Sequence, residues 1–158
     1  MRPPVVAASA FVAAIACAGA PGAPGAPGAP GATDHGAELG KPFTLAAGES
    51  ASLDAGKLVV RFVAVGEDSR CPKGEQCVWA GNARVDLEVR VGTGSPQVIS
   101  LNTNQGTASA ELDGYGLALH DVAPQPIAGR AIAPEDYRVT VSATRGAAPS
   151  PGADQPVR

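Results

Sequence analysis

Over residues 84–91 apolar and charged side chains alternate without a break: Val85, Leu87, Val89 and Val91 against Arg84, Asp86, Glu88 and Arg90. Successive side chains of a β-strand point to opposite faces, so this spacing fits a half-buried strand and no helix. Tyr137, Val139, Val141 and Ala143 repeat the pattern against Arg138, Thr140 and Ser142. Residues 58–65 (LVVRFVAV) are apolar on both faces except for Arg61, which predicts a central strand. Residues 98–101 and 115–122 are shorter candidates, and 42–46 and 107–112 are weaker ones. Turn formers fall between them: Ala55-Gly56, Gly92-Thr93-Gly94, residues 102–106, Asp113-Gly114 and Pro124-Gln125-Pro126. The expected fold class is all-β: an antiparallel β-sandwich or small barrel of about six to eight short strands. Pro134-Glu135-Asp136 suits one short helical turn before the last strand.

The flanks of this region have other compositions. Met1-Arg2 precedes an apolar or small run, VVAASAFVAAIA, at residues 5–16. Such a run suits the hydrophobic region of an export signal and falls short of the roughly 20 residues that span a bilayer. Residues 19–32 repeat Gly-Ala-Pro, a composition that suits an extended tether and offers no apolar cluster to pack. Residues 146–158 carry three prolines (Pro149, Pro151, Pro156) and no apolar period, as in a disordered tail. The expected organisation is therefore a signal peptide at 1–16, an attachment point and tether at 17–37, a β domain at 38–145 and a tail at 146–158.

Ala14-Ile15-Ala16-Cys17 resembles the lipobox of bacterial lipoproteins, with Ala14 where that family usually has Leu. The resemblance implies that Cys17 becomes the first mature residue and carries a diacylglyceryl group. Acyl chains of the palmitate type would then hold the protein to a membrane in the cell envelope. By that family's sorting rules Ala18, rather than Asp, implies the outer membrane if the cell is Gram-negative. An ordinary signal cleavage after Ala18 is the rival reading and gives a secreted protein. Cysteine parity favours lipidation: of the three cysteines, Cys71 and Cys77 can pair, leaving Cys17 at the processing site.

Charge and composition exclude several classes. Twelve Lys+Arg against 15 Asp+Glu give a net charge of −3, unlike the basic surface of a nucleic-acid binder. No G-x-S-x-G or phosphate-binding loop occurs. His120-Asp121, on a regular strand, would point to opposite faces and form no catalytic pair. Asp86 and Glu88 share a face with Arg84 and Arg90, so ion pairing accounts for them. The 102–106 loop offers oxygen ligands but no acid for calcium. The expectation is no enzyme, no cofactor and no metal.

The densest run is DSRCPKGEQCVWAGNA at 68–83. Cys71 and Cys77 enclose five residues, and in an oxidising compartment they close a small loop in which Pro72 and Gly74 favour a reversal. Trp79 is expected to pack near the bridge, as a sandwich Trp often does. A structural staple, in a purely structural envelope protein, is one reading. Thiolate metal binding fits poorly, since Cys-x5-Cys has no second Cys or His pair. Thiol–disulfide catalysis usually shows Cys-x-x-Cys. A third functional reading is an exposed, preorganised loop that docks on an envelope or extracellular protein, with Arg70, Pro72, Lys73, Glu75 and Trp79 as candidate contacts. In its inhibitor form, Lys73-Gly74 is the bond presented to a trypsin-like protease. The run resembles the D-S-R-C-P-x4-C-V/I-W-A-G motif of small uncharacterised exported proteins and lipoproteins of bacteria. An L-x-V-x-F strand before it and P-x-D-Y-x-V-x-V at 134–141 extend the likeness. It implies a fold and an address, not an activity.

Overall fold

A computed structural model describes residues 34–104 and 108–148. The residues read as an export signal, most of those read as tether and tail, and Cys17 lie outside the described residues. Among the described residues there are nine strands: β1 (Asp34–Gly36), β2 (Phe43–Ala46), β3 (Ser50–Leu53), β4 (Leu58–Asp68), β5 (Ala83–Val91), β6 (Gln97–Asn102), β7 (Ser109–Leu112), β8 (Tyr115–Ala123) and β9 (Arg138–Arg145). A single 3-10 turn, Pro134–Asp136, precedes β9 where the sequence places it. No helix among these residues is long and apolar enough to cross a membrane.

The strands form two sheets, β1-β3-β4-β5-β6 and β2-β9-β8-β7. All pairings are antiparallel except β1 with β3. One apolar core lies between the sheets. Val60, Phe62, Val85, Leu87 and Leu101 enter it from the five-stranded sheet, and Leu45, Leu117, Leu119, Val139 and Val141 from the other. The alternation read at 84–91 is borne out, with Val85, Leu87 and Val89 buried and the charged residues between them half-exposed. Burying a side chain of this size stabilises the fold by about 1.5–3 kcal/mol.

Three details differ from the sequence reading. The fold is a sandwich of nine strands, because β1 and β3 join the seven that the sequence pattern marks. β3 (SASL) has small side chains and a weak pattern, though Ala51 and Leu53 are buried. β1 (DHG) is fully exposed and held by its partner: Ser52 Oγ donates to Asp34 at 2.7 Å and Ala37 N–H donates to the Ser52 carbonyl at 3.0 Å. The sheet thus takes in residues that composition assigns to the tether. Finally, β4 is central in its sheet as expected, but only one face is covered. Its register slips around Val63 and Gly66, and Val63 is 44% exposed, because a two-layer sandwich leaves each outer face to solvent.

The two ends of the sandwich differ. At the hairpin end, tight connections at 54–57 and 113–114 lie beside the end of β9, where Gly146 N–H donates to the Gly114 carbonyl at 2.7 Å. At the loop end, two long connections, 69–82 and 124–137, emerge side by side.

Candidate functional site

The 69–82 connection begins as an extension of the β4–β5 ladder. Ser69 N–H donates to the Asn82 carbonyl at 2.7 Å and Cys71 N–H to the Ala80 carbonyl at 3.1 Å. Gly81 permits this close pairing: its φ is +70°, and a Cβ there would lie 1.8 Å from the Ser69 carbonyl oxygen. The Cys71–Cys77 disulfide, expected from the sequence, then closes the loop with Cα atoms 5.9 Å apart. Inside it Glu75 N–H donates to the Pro72 carbonyl at 3.1 Å. Lys73 and Gly74 are thus the central pair of a β-turn, and Gly74 supplies the positive φ (+87°) that its third position needs.

Three braces fix the loop to the body. Lys73 N–H donates to the Pro126 carbonyl at 2.8 Å, tying it to the neighbouring connection. Arg70 grips Asp68 through Nε (2.9 Å) and Nη2 (2.7 Å), a bidentate pair in which both side chains are nearly buried. The same guanidinium reaches the Val122 carbonyl and, at 2.9 Å, the Pro124 carbonyl, just beyond the cis Ala123–Pro124 bond. Tyr137 completes the cluster by donating its hydroxyl to Asp68 at 3.1 Å. Burial alone would raise the Asp68 carboxyl, but the Arg70 and Tyr137 hydrogen bonds outweigh it and hold it below the usual carboxylate value. Burial, and then Asp68, push the Tyr137 hydroxyl up. Asn82 braces the base from the other side: its amide bonds Asn102 at 2.8 Å, and its carbonyl oxygen accepts from Asn104 N–H at 3.0 Å.

The candidate contact residues therefore separate into two groups. Arg70, a candidate contact by sequence, is a brace: the Asp68 carboxylate and the Val122 and Pro124 carbonyls hold it, and little of it meets water. Pro72 is half-buried at the turn's start. Lys73, Glu75 and Trp79 are exposed. Trp79 corrects the sequence reading most sharply, being 82% exposed beside Val78 at 90%, with no core contact. A sandwich Trp packs inward when its strand continues across the sheet face. Here the chain is still outside the ladder at residue 79, so no core surface is within reach. Ile127, 51% exposed, lies on the connection that Lys73 is tied to. Asp68, Tyr137 and Val78 stand within the quoted motifs, but nothing in their spacing marks them as site residues.

A cleft of about 620 Å³ runs beside the loop, lined among others by Arg70, Cys71, Asn104, His120, Asp121 and Gln125. His120 and Asp121 do not point to opposite faces as on a regular strand, because β8 has a bulge between Leu119 and Asp121. Leu119 and Val122 both enter the core, and His120 and Asp121 both line the cleft. His120 Nε2 shares a 2.7 Å hydrogen bond with Ser142 Oγ, but Ser142 is only 4% exposed, so its hydroxyl is closed to a substrate. Among the described residues no group of three or more His, Cys, Asp or Glu side chains converges to hold a metal ion.

Comparison with protein-family models, curated proteins and solved structures returned no match for this chain.

Proposed function

We propose that this is a cell-envelope lipoprotein, anchored through Cys17, whose β domain is a binding module that docks through the stapled tip. The observation that carries the reading is the pairing of exposure with rigidity. Val78 and Trp79 stand 90% and 82% in solvent on a loop tied down by a disulfide, an Arg70 brace and a backbone bond to Pro126. Large apolar side chains held out in water are costly unless something covers them, and a preorganised loop loses little entropy when covered. Trypsin-type inhibition through Lys73-Gly74 has less support, since that bond sits inside a closed β-turn rather than on extended backbone.

The test is a photo-crosslinking residue at position 78 of the full chain in intact cells, compared with the same residue at Lys57, exposed at the opposite end. Adducts at 78 and none at 57 are expected. No adduct at either position, or equal labelling at both, overturns the reading. The intact mass of the membrane-extracted protein reports separately on the anchor: a chain starting at an acylated Cys17 supports it, and one starting at Gly19 makes the protein secreted.

A further inference from the structure

We infer that the surface docked by Val78 and Trp79 is the lipid bilayer itself, so that the loop end of the sandwich faces the membrane. The inference deepens the docking reading and rests on it. It starts from the direction in which the chain enters the fold. β3 is antiparallel to β4, with Leu53 opposite Leu58 and Ser50 opposite Arg61. β1 is parallel to β3, with Asp34 opposite Ser50. Followed backwards from Gly36 to Asp34, the chain therefore runs toward the C-terminal end of β4, which is the loop end. The C-terminal strand leaves from the other end, with Arg145 opposite Tyr115.

Length makes the contact reachable. From the level of Arg61 to that of Asp68 is about 23 Å at about 3.3 Å per residue. Residues 18–33 can extend to about 50 Å at about 3.1 Å per residue. The chain back to a membrane-held Cys17 is therefore long enough to pass the level of Asp68, with about 27 Å left for the tip beyond it. The tether also keeps the tip at high local concentration near the lipid, so a contact too weak to recruit a free protein suffices for an anchored one. The chemistry of the tip agrees. An indole favours the headgroup boundary, where its ring is apolar and its N–H meets water. Val78 adds apolar surface, and exposed Ile127 stands on the connection that Lys73 is tied to. Lys73 and Glu75, both exposed, balance in charge, so zwitterionic lipid is enough.

Trp79 is the chain's single tryptophan, so its emission reads the contact directly. The chain from residue 17, with the Cys71–Cys77 disulfide intact, is coupled through the Cys17 thiol to a maleimide-headgroup lipid in phosphatidylcholine vesicles. This coupling makes the result independent of whether cells acylate Cys17, and the position-78 crosslink tests docking separately. Expected are a blue shift of Trp79 emission and its loss when bromine-labelled phosphatidylcholine replaces part of the lipid. A Trp79→Phe, Lys57→Trp variant should show neither. Emission as water-exposed as in the uncoupled chain overturns the inference. A blue shift that bromine does not quench also overturns it and assigns the tip to a second copy or to the chain's own outer segments. Equal quenching at position 57 overturns the orientation. Crosslinking at position 78 to protein, with no bromine quenching in vesicles, keeps the docking site and replaces lipid with a protein partner.

Discussion

Both ends of the sandwich are closed by the same three residue types. At the hairpin end Asp54 accepts from the Tyr115 hydroxyl and pairs with Arg145, whose guanidinium also lies 5.6 Å from the Tyr115 ring centroid. At the loop end Asp68 accepts from Tyr137 and pairs with Arg70. These are the chain's two tyrosines. The surroundings separate the clusters: Arg145 is 61% exposed and Arg70 only 12%. The Asp54 cluster caps a turn that local geometry already closes, whereas the Asp68 cluster fastens two long connections to each other and to the body. The same chemistry is therefore peripheral at one end and structural at the other. An exposed ion pair is worth about 0–1 kcal/mol, and breaking a buried one costs about 3–5 kcal/mol.

The largest expected effect follows from that contrast. Asp68→Ala leaves Arg70 nearly buried against carbonyls alone, and should cost about 3 kcal/mol in urea unfolding. Asp54→Ala should cost clearly less, since water screens its pair with the exposed Arg145. Equal losses would erase the distinction between the ends.

Removing the staple comes next. Cys71→Ser with Cys77→Ser should cost about 2 kcal/mol, the loop-closure value for so short a loop. Protection from amide exchange should fall over 69–82 while the hairpin end is unchanged. A uniform loss of protection would show that the loop end is not a separate unit.

Acid should reproduce part of the first effect. Both carboxyls lie below their ordinary value, Asp54 chiefly through the Tyr115 hydrogen bond and Asp68 because its Arg70 and Tyr137 bonds outweigh burial. A depressed carboxyl contributes stability that is present above its unfolded pKa, about 3.9, and is lost as the pH falls through the lower folded value. The unfolding midpoint should therefore hold above about pH 5 and drop below about pH 4. Asp68→Asn should flatten that drop more than Asp54→Asn. The tyrosines act with the opposite sign: their raised values keep the stabilisation below about pH 10 and lose it above.

The smallest effect is the most informative about the tip. Trp79→Ala should shift stability by no more than about 0.5 kcal/mol, as at an exposed position. A core tryptophan would cost about 3–5 kcal/mol. A loss of that size would restore the packed Trp that sequence alone suggests.

The period of two in the sequence determined most of the sheets, since one buried face fixes both the strand and its register. The disulfide was equally legible, being a local closure between cysteines six positions apart. Other features depended on neighbours far along the chain. β1 exists because β3 offers it an edge. His120 and Asp121 share a cleft because a bulge breaks the alternation at that point of β8. Arg70 is a brace because Tyr137, 69 residues beyond Asp68, and the Val122 and Pro124 carbonyls arrive beside it. Trp79 stands in water because the ladder resumes only after it. Local pattern records which face a residue prefers, but burial requires a surface to face, and only the packed sheets decide where that surface ends.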